Sequence, residues 1–240
     1  MKLAVLGNSH IACLKVAWND MQHDHTLTFF GSHGLSLASL RYQNGKLSSD
    51  EPRVRNNFRM SSEGNAEEII LSDYDALLIH GLADIGVAAT VFKHYSLKRG
   101  GLMLSQATFQ SVLDGWYHSQ LLALTVPQIP IGVRCIVTTT SAYAELIAQW
   151  PDWRYVGHIP ANCRAAFDYT LVACSKFQVV RQPLETLKAP FLTRDEFSKN
   201  SVRLTADLNV PHPDDDYTHM NADYGRLVLR DVFRALDTPA

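Results

Sequence analysis

The stretch "MKLAVLGNSHIACLKVAW", residues 1–18, decides how the chain is read. Leu3–Leu6 is an uninterrupted apolar run, the pattern of a strand covered on both faces. Ile11, Leu14, Trp18 and Met21 then recur at the spacing of one helix face. Between strand and helix lies Gly7-Asn8-Ser9-His10, a turn that carries a hydroxyl and an imidazole side by side. A bland turn would connect the two elements equally well, so this one raises the question of chemistry at once.

Outward from it, the pattern alternates. "TLTFFG" (26–31) is β-rich and ends in a glycine-punctuated loop, "GSHGLS". "SEGNAEEIILSDYDALLIHG" (62–81) reads as a short helix, a turn and the strand Ala76–His80. Helical stretches are expected over 85–95 and 108–124. "VRCIVTT" (133–139) reads as a strand with a helix after it, and "FQVVRQP" (177–183) as a further strand. "HMNADYGRLVLRDVFRAL" (219–236) closes the chain as a helix, with Tyr224, Leu227, Leu229, Val232 and Leu236 near one face. Strands alternating with helices predict a mainly parallel sheet covered on both sides, a three-layer α/β/α sandwich, here as one domain over 1–240. In such sheets ligands sit beyond the carboxyl ends of the strands, at a topological switch point. The Ser9 turn, the "GSHG" loop and "HGLAD" (80–84) should therefore meet at one edge.

Composition narrows the classes. Of 240 residues, 46% are apolar and 19% charged, which suits a globular chain with a real core. A net charge of −2 gives no footprint for nucleic acid and no basic membrane patch. Cys13, Cys135, Cys163 and Cys174 show neither a CxxC pair nor metal-type spacing, so free thiols in a reducing compartment are expected. The apolar run before Gly7 is too short for a signal segment, and no run approaches a membrane span. A cytoplasmic protein is the resulting expectation.

The tail "VPHPDDDYTHMNADYG" places Asp216 three residues before His219, just ahead of the last helix. A carboxylate that fixes the tautomer of a histidine and stabilises its imidazolium makes that histidine a general base. Its other nitrogen can then activate a hydroxyl, and Ser9 is the candidate nucleophile. A serine at a helix start also offers backbone N–H groups and the positive end of the dipole to an oxyanion. Plainer readings stand beside this one. Serine is a preferred N-cap, and Asp-rich loops before helices serve capping and solvation. His212, Asp214, Asp216 and His219 also have the chemistry of metal ligands, although no recognised ligand spacing is present.

"LAVLGNSHIA" at one end with "DYTHMN" near the other resembles the first and last motif blocks of the SGNH hydrolases, the GDSL esterase/lipase superfamily. The first block there is Gly-Asp-Ser after strand one; here it is Gly7-Asn8-Ser9, with Asn8 in the aspartate's place. The last is Asp-x-x-His before the final helix, as in Asp216–His219. The resemblance implies a flavodoxin-like α/β/α fold, a serine esterase with Ser9, Asp216 and His219 catalytic, and no cofactor or metal. It implies an oxyanion hole formed by the Ser9 N–H and a glycine N–H of the second block, Gly34 by count from the strand with Gly31 in reserve. The third block, Gly-x-Asn-Asp, stands here as Gly81-Leu82-Ala83-Asp84. Ala83 occupies the position of an oxyanion-donating Asn and has no side-chain donor. His80 and Asn162 are the candidates to replace it.

The activity so implied is hydrolysis of a small acyl ester, such as an acetyl group on a carbohydrate or similar metabolite. The partner is then a small-molecule or glycan ester, with no nucleic acid and no membrane; the sequence does not set the oligomeric state. An O-acyltransferase using the same residues and a non-catalytic glycan- or partner-binding module are the alternatives. Gln106, His118 and "QPLETL" (182–187) are candidate pocket or rim residues, and Trp116, Trp150 and Trp153 candidate sugar-stacking rings, with ordinary burial as the simpler account of each.

Overall fold

A computed structural model describes residues 1–22, 24–92 and 106–238. Its centre is a five-stranded, wholly parallel sheet: β1 (Lys2–Gly7), β2 (Thr26–Gly31), β6 (Ala76–His80), β7 (Cys135–Thr138) and β9 (Gln178–Val180), in the order β2-β1-β6-β7-β9. Counting only these strands, the order is 2-1-3-4-5, the flavodoxin-like winding with its switch point beside the first strand. The expected α/β/α sandwich is therefore the architecture present.

Strand alternation assigns the two cores. Leu3 and Val5, with Leu78 and Ile136, face α1 (Ile11–Asn19) and the last helix, α7 (Ala222–Asp237). Ala4 and Leu6, with Leu77, Ile79 and Val137, face the opposite layer, which includes α3 (Ile85–Val91), α4 (Gln106–His118) and α6 (Ala161–Ser175). The pairing of α1 with α7 is what brings the two ends of the chain together. A Cβ on Gly225 would lie 2.1 Å from the Cys13 carbonyl oxygen, so only glycine lets the two helices cross this closely. Tyr224, 1% exposed, seals the same contact. The helix that begins after Ser9 and the helix that begins after His219 are thereby locked together.

Several local expectations change. The helix expected within 62–81 lies earlier, as α2 (Pro52–Ser61), opened by a proline in its first turn and stopped by Glu63 in the left-handed region at φ 60°. The stretch expected helical over 108–124 is two helices, α4 and α5 (Leu121–Thr125). Gln120 turns extended between them and its side-chain oxygen accepts the Asp84 N–H at 2.9 Å. After β7 there is no immediate helix; β8 (Tyr143–Ala144) and two 3-10 segments precede α6. Two small three-stranded sheets flank the main one. The first joins β3 (Arg41–Gln43), β4 (Lys46–Ser48) and β5 (Ile69–Ile70); the second joins β10 (Leu187–Ala189), β11 (Leu192–Thr193) and β8. The end of the helix expected over 85–95 lies outside the described residues. No helix among the described residues is long and apolar enough to cross a membrane, and the four cysteines are free.

Candidate active site

The parallel register aligns Gly7 with Gly31 on one side and with His80 on the other, so the turns after β1, β2 and β6 share the carboxyl edge. The turn after β1 is pinned by Asn8. Its Nδ2 donates to the Gly81 carbonyl at 2.7 Å and its Oδ1 accepts the His10 N–H at 3.1 Å. Gly81, at φ 80°, leaves room for this, since a Cβ there would lie 2.5 Å from Asn8 Oδ1. The cap residue of α1 is His10, with no side-chain cap bond, so Ser9 does not serve as an N-cap.

The Ser9 hydroxyl instead donates to His219 Nε2 at 2.9 Å. His219 Nδ1 donates to Asp216 Oδ2, also at 2.9 Å. The loop that carries them is fixed from both ends. Asn221 caps α7 through Asp223 N and Tyr224 N and donates its own amide to the Glu196 and Lys199 carbonyls. Asp216 Oδ1 accepts the Thr218 N–H (2.8 Å), the Thr218 hydroxyl (2.8 Å) and the His219 N–H (2.9 Å). Burial alone would push the Asp216 carboxyl up; the hydrogen bonds from the His219 side chain and from the His219 and Thr218 backbone outweigh it and hold the group well below the usual carboxylate range. A charged acceptor at Nδ1 leaves Nε2 as the lone-pair nitrogen facing Ser9.

His219 is also stacked between two imidazoles. The His212 ring lies 3.9 Å away at 10°, and the His10 ring 4.8 Å away at 19°. His212 Nδ1 lies 3.1 Å from the same Asp216 Oδ2. Burial, then the neighbouring His219, lowers the pKa of both flanking rings, which keeps them neutral. Of the four residues with metal-ligand chemistry, His212, Asp216 and His219 come together and Asp214 stays exposed outside them. Within that cluster His219 Nδ1 donates to the carboxylate and the three ligand atoms lie within 4.8 Å of one another.

A cavity of about 430 Å3 opens in front of Ser9, lined by Gly31, Ser32 and His33 from the turn after β2, by Arg53, Asn57 and Met60, by Arg203, Leu204 and His212, and by His219. Positions 53, 57 and 60 are spaced four and three apart on one face of α2. Sequence reasoning passed over this wall. The only signal was that spacing, and α2 itself was not anticipated.

Other candidate donors fall elsewhere. Gly34 does not line the cavity: β2 ends at Gly31, and Gly34 already opens a 3-10 turn packed toward the Leu121 side chain. The Gly31 N–H is taken by Ser61 Oγ at 2.8 Å and the Ser32 N–H by the Gly7 carbonyl at 3.1 Å. His80 is 1% exposed, and its Nδ1 bonds Thr138 Oγ1 at 2.7 Å at the base of the turn. Asn162 is exposed in the first turn of α6, outside the cavity. Ala83 is buried in the core at 1% exposure. Asn57 does line the cavity, and one of its amide hydrogens goes to Ser32 Oγ at 3.0 Å, while the other has no hydrogen bond among the described residues. The Ser9 N–H makes no hydrogen bond among the described residues.

Trp116, Trp150 and Trp153 do not line the cavity. Trp116 packs on Phe167, Trp150 on Tyr217, and Trp153 on Tyr143 and Tyr155. His118 lines a different cavity. Gln182 is buried and tethers Ala142 N, Thr186 and Thr193, so it braces the second small sheet instead of a rim. The side chain of Gln106 lies outside the described residues.

No family model matches the chain, and no curated protein matches it significantly. Solved structures resemble it over nearly its full length at low similarity. A protein from Lactobacillus plantarum is 14% identical with a TM-score of 0.42, covering 99% of this chain and 96% of the other. A carbohydrate acetylesterase family member from Sinorhizobium meliloti is 10% identical with a TM-score of 0.39, covering 98% and 97%. A catalytic mutant of an acetylxylan esterase from Geobacillus stearothermophilus is 13% identical with a TM-score of 0.37, covering 99% and 94%. The fold assignment rests on strand order and connectivity alone.

Proposed function

We propose that the protein is a serine hydrolase of the SGNH type that cleaves a small acyl ester. The observation that carries this is the continuous chain Ser9 Oγ to His219 Nε2 and His219 Nδ1 to Asp216 Oδ2, each link 2.9 Å, at the mouth of a cavity on the carboxyl edge of the sheet. As Ser9 Oγ attacks the ester carbonyl, its proton passes to His219 Nε2, and the Asp216 carboxylate stabilises the imidazolium. His219 then gives that proton to the leaving alcohol as the carbonyl–alkoxy bond breaks. Water repeats the sequence on the acyl-enzyme and releases the acid. The free Ser9 N–H and the unused Asn57 amide hydrogen are the donors proposed for the oxyanion, Asn57 taking the part that Ala83 cannot play.

Fluorophosphonate labelling with mapping of the modified residue tests the reading, together with hydrolysis of short acyl esters. Labelling at Ser9, lost in Ser9→Ala with the fold intact, is expected. Asp216→Asn should still label slowly while turnover falls by about 10³–10⁴, because it spoils the tautomer and not the nucleophile. Undiminished hydrolysis by Ser9→Ala overturns the proposal.

A further inference from the structure

The charge of the Ser9 cavity is one-sided. Its wall carries two guanidinium groups, Arg53 and Arg203, and no carboxylate. The half-buried Asp216 behind it is already engaged: three donors reach Oδ1, His219 Nδ1 donates to Oδ2, and His212 Nδ1 lies 3.1 Å from the same oxygen. Neither Arg53 nor Arg203 forms an ion pair among the described residues, and the contrast within α2 is informative. Arg55 and Arg59, on its other side, both pair with Glu67, while Arg53 faces the cavity.

Arg203 is not a loose surface group by backbone. It sits on a strap in which Val202 bridges Pro211, the Arg203 N–H donates to the Val210 carbonyl at 2.8 Å, and the His212 N–H donates to the Ser201 carbonyl at 2.9 Å. That strap delivers Arg203 and His212 to the same wall.

His212 completes that wall. Its side chain is only 10% exposed, Nδ1 lies 3.1 Å from Asp216 Oδ2, and Nε2 is buried with no hydrogen-bond partner among the described residues.

Building on the serine esterase reading, we infer that the cavity takes the acyl ester of an anionic alcohol, a sugar acid or a sugar phosphate, whose anionic group is held by Arg53 and Arg203. Guanidinium forks suit carboxylate and phosphate alike, and the volume lies within the range of about 300–1,000 Å3 usual for small-molecule sites.

Position-matched monoacetates of glucuronic acid, glucose 6-phosphate and methyl glucoside test this. Wild-type kcat/KM should favour at least one anionic acetate over the neutral one by about tenfold or more, a preference that weakens with added salt. In Arg53→Gln and in Arg203→Gln the anionic-to-neutral ratio should fall toward one, chiefly through KM. Whether the carboxylate or the phosphate is favoured identifies the anion. Calorimetric binding of the same three acetates to Ser9→Ala reads recognition without turnover. Equal treatment of all three in both assays, or an anionic preference untouched by both arginine variants, overturns the inference and leaves the esterase standing. If no acetate is hydrolysed and Ser9 does not label, the esterase reading falls, and the Ser9→Ala binding ratios still decide the inference about recognition.

Discussion

The turns after β1 and β6 leave adjacent strands at the same sheet edge, yet they do opposite things. After β1, Gly7-Asn8-Ser9-His10 holds its polar side chains half-buried at the sheet edge, and the Ser9 hydroxyl reaches His219. After β6, Gly81-Leu82-Ala83-Asp84 turns inward. Leu82 and Ala83 are 2% and 1% exposed in the core, the Ala83 carbonyl accepts the Thr140 N–H at 3.0 Å, and Asp84 caps α3 by accepting from Val87 N at 3.0 Å. The sheet edge supplies places where chemistry can be mounted. Whether a turn uses its place depends on which way its side chains are pinned, and Asn8, bridging the two turns, does that pinning.

If the β6 turn contributes no side chain to the oxyanion, the donor must come from across the cavity. Asn57→Ala is then the sharpest way to break the comparison. Its turnover should fall by about 10²–10³ with a smaller change in KM, since the oxyanion exists only near the transition state. Single-turnover kinetics on a short ester checks this. A fall confined to KM places Asn57 in ground-state binding and returns the question to the backbone.

Legibility in the sequence divides along similar lines. The strands Thr26–Gly31 and Ala76–His80 and the closing helix were legible because their apolar patterning is strong, and their alternation implies a mainly parallel sheet. The meeting of Ser9 with Asp216 and His219 was legible only through the resemblance of the two end motifs to one family; its physical cause, the close packing of α1 on α7, has no mark in the sequence beyond Gly225. The cavity wall was not. Arg53, Asn57 and Met60 lie on a short helix whose residues are mostly polar, where periodicity in apolar residues says nothing. Arg203 and His212 lie on a strap held by backbone bonds that leave no mark in side-chain pattern. Gly34 was misplaced by counting, because two residues of loop separate the end of β2 from the turn that Gly34 opens.

The base of the β6 turn gives a second test, through stability. Thr138 donates its hydroxyl hydrogen to the Ile79 carbonyl at 3.3 Å, so His80 Nδ1 carries the proton between them, and the ring is neutral. Burial lowers its pKa from 6.5 to about 4. The unfolded chain therefore binds a proton that the folded one refuses between those values. The stabilisation is complete above pH 6.5 and is lost as pH falls toward 4, amounting to roughly 3 kcal/mol for this residue. Thermal melting from about pH 7.5 to about pH 4.5 should show a falling Tm below about 6.5, with a shallower slope in His80→Gln. The lowered pKa of His10 acts in the same direction and leaves part of the slope in the variant. A Tm profile identical in wild type and His80→Gln contradicts the buried, neutral assignment.

The smallest expected effect bears most directly on the two turns. Ala83→Asn restores the residue type that the resembling family carries in this block. If the β6 turn were equivalent to the β1 turn, the new amide would point into the cavity and raise turnover. The structure gives it no such path. Ala83 packs among buried apolar side chains, and its carbonyl is fixed by Thr140. An inserted amide meets a filled core, and overpacking of that kind costs about 1–3 kcal/mol. For a chain of this length that corresponds to roughly 2–4 °C of Tm per kcal/mol. The expected outcome is a lower Tm with turnover flat or reduced and with Ser9 labelling retained. A variant that melts like wild type and turns over faster places position 83 at the oxyanion after all, and removes the need for Asn57 in that role.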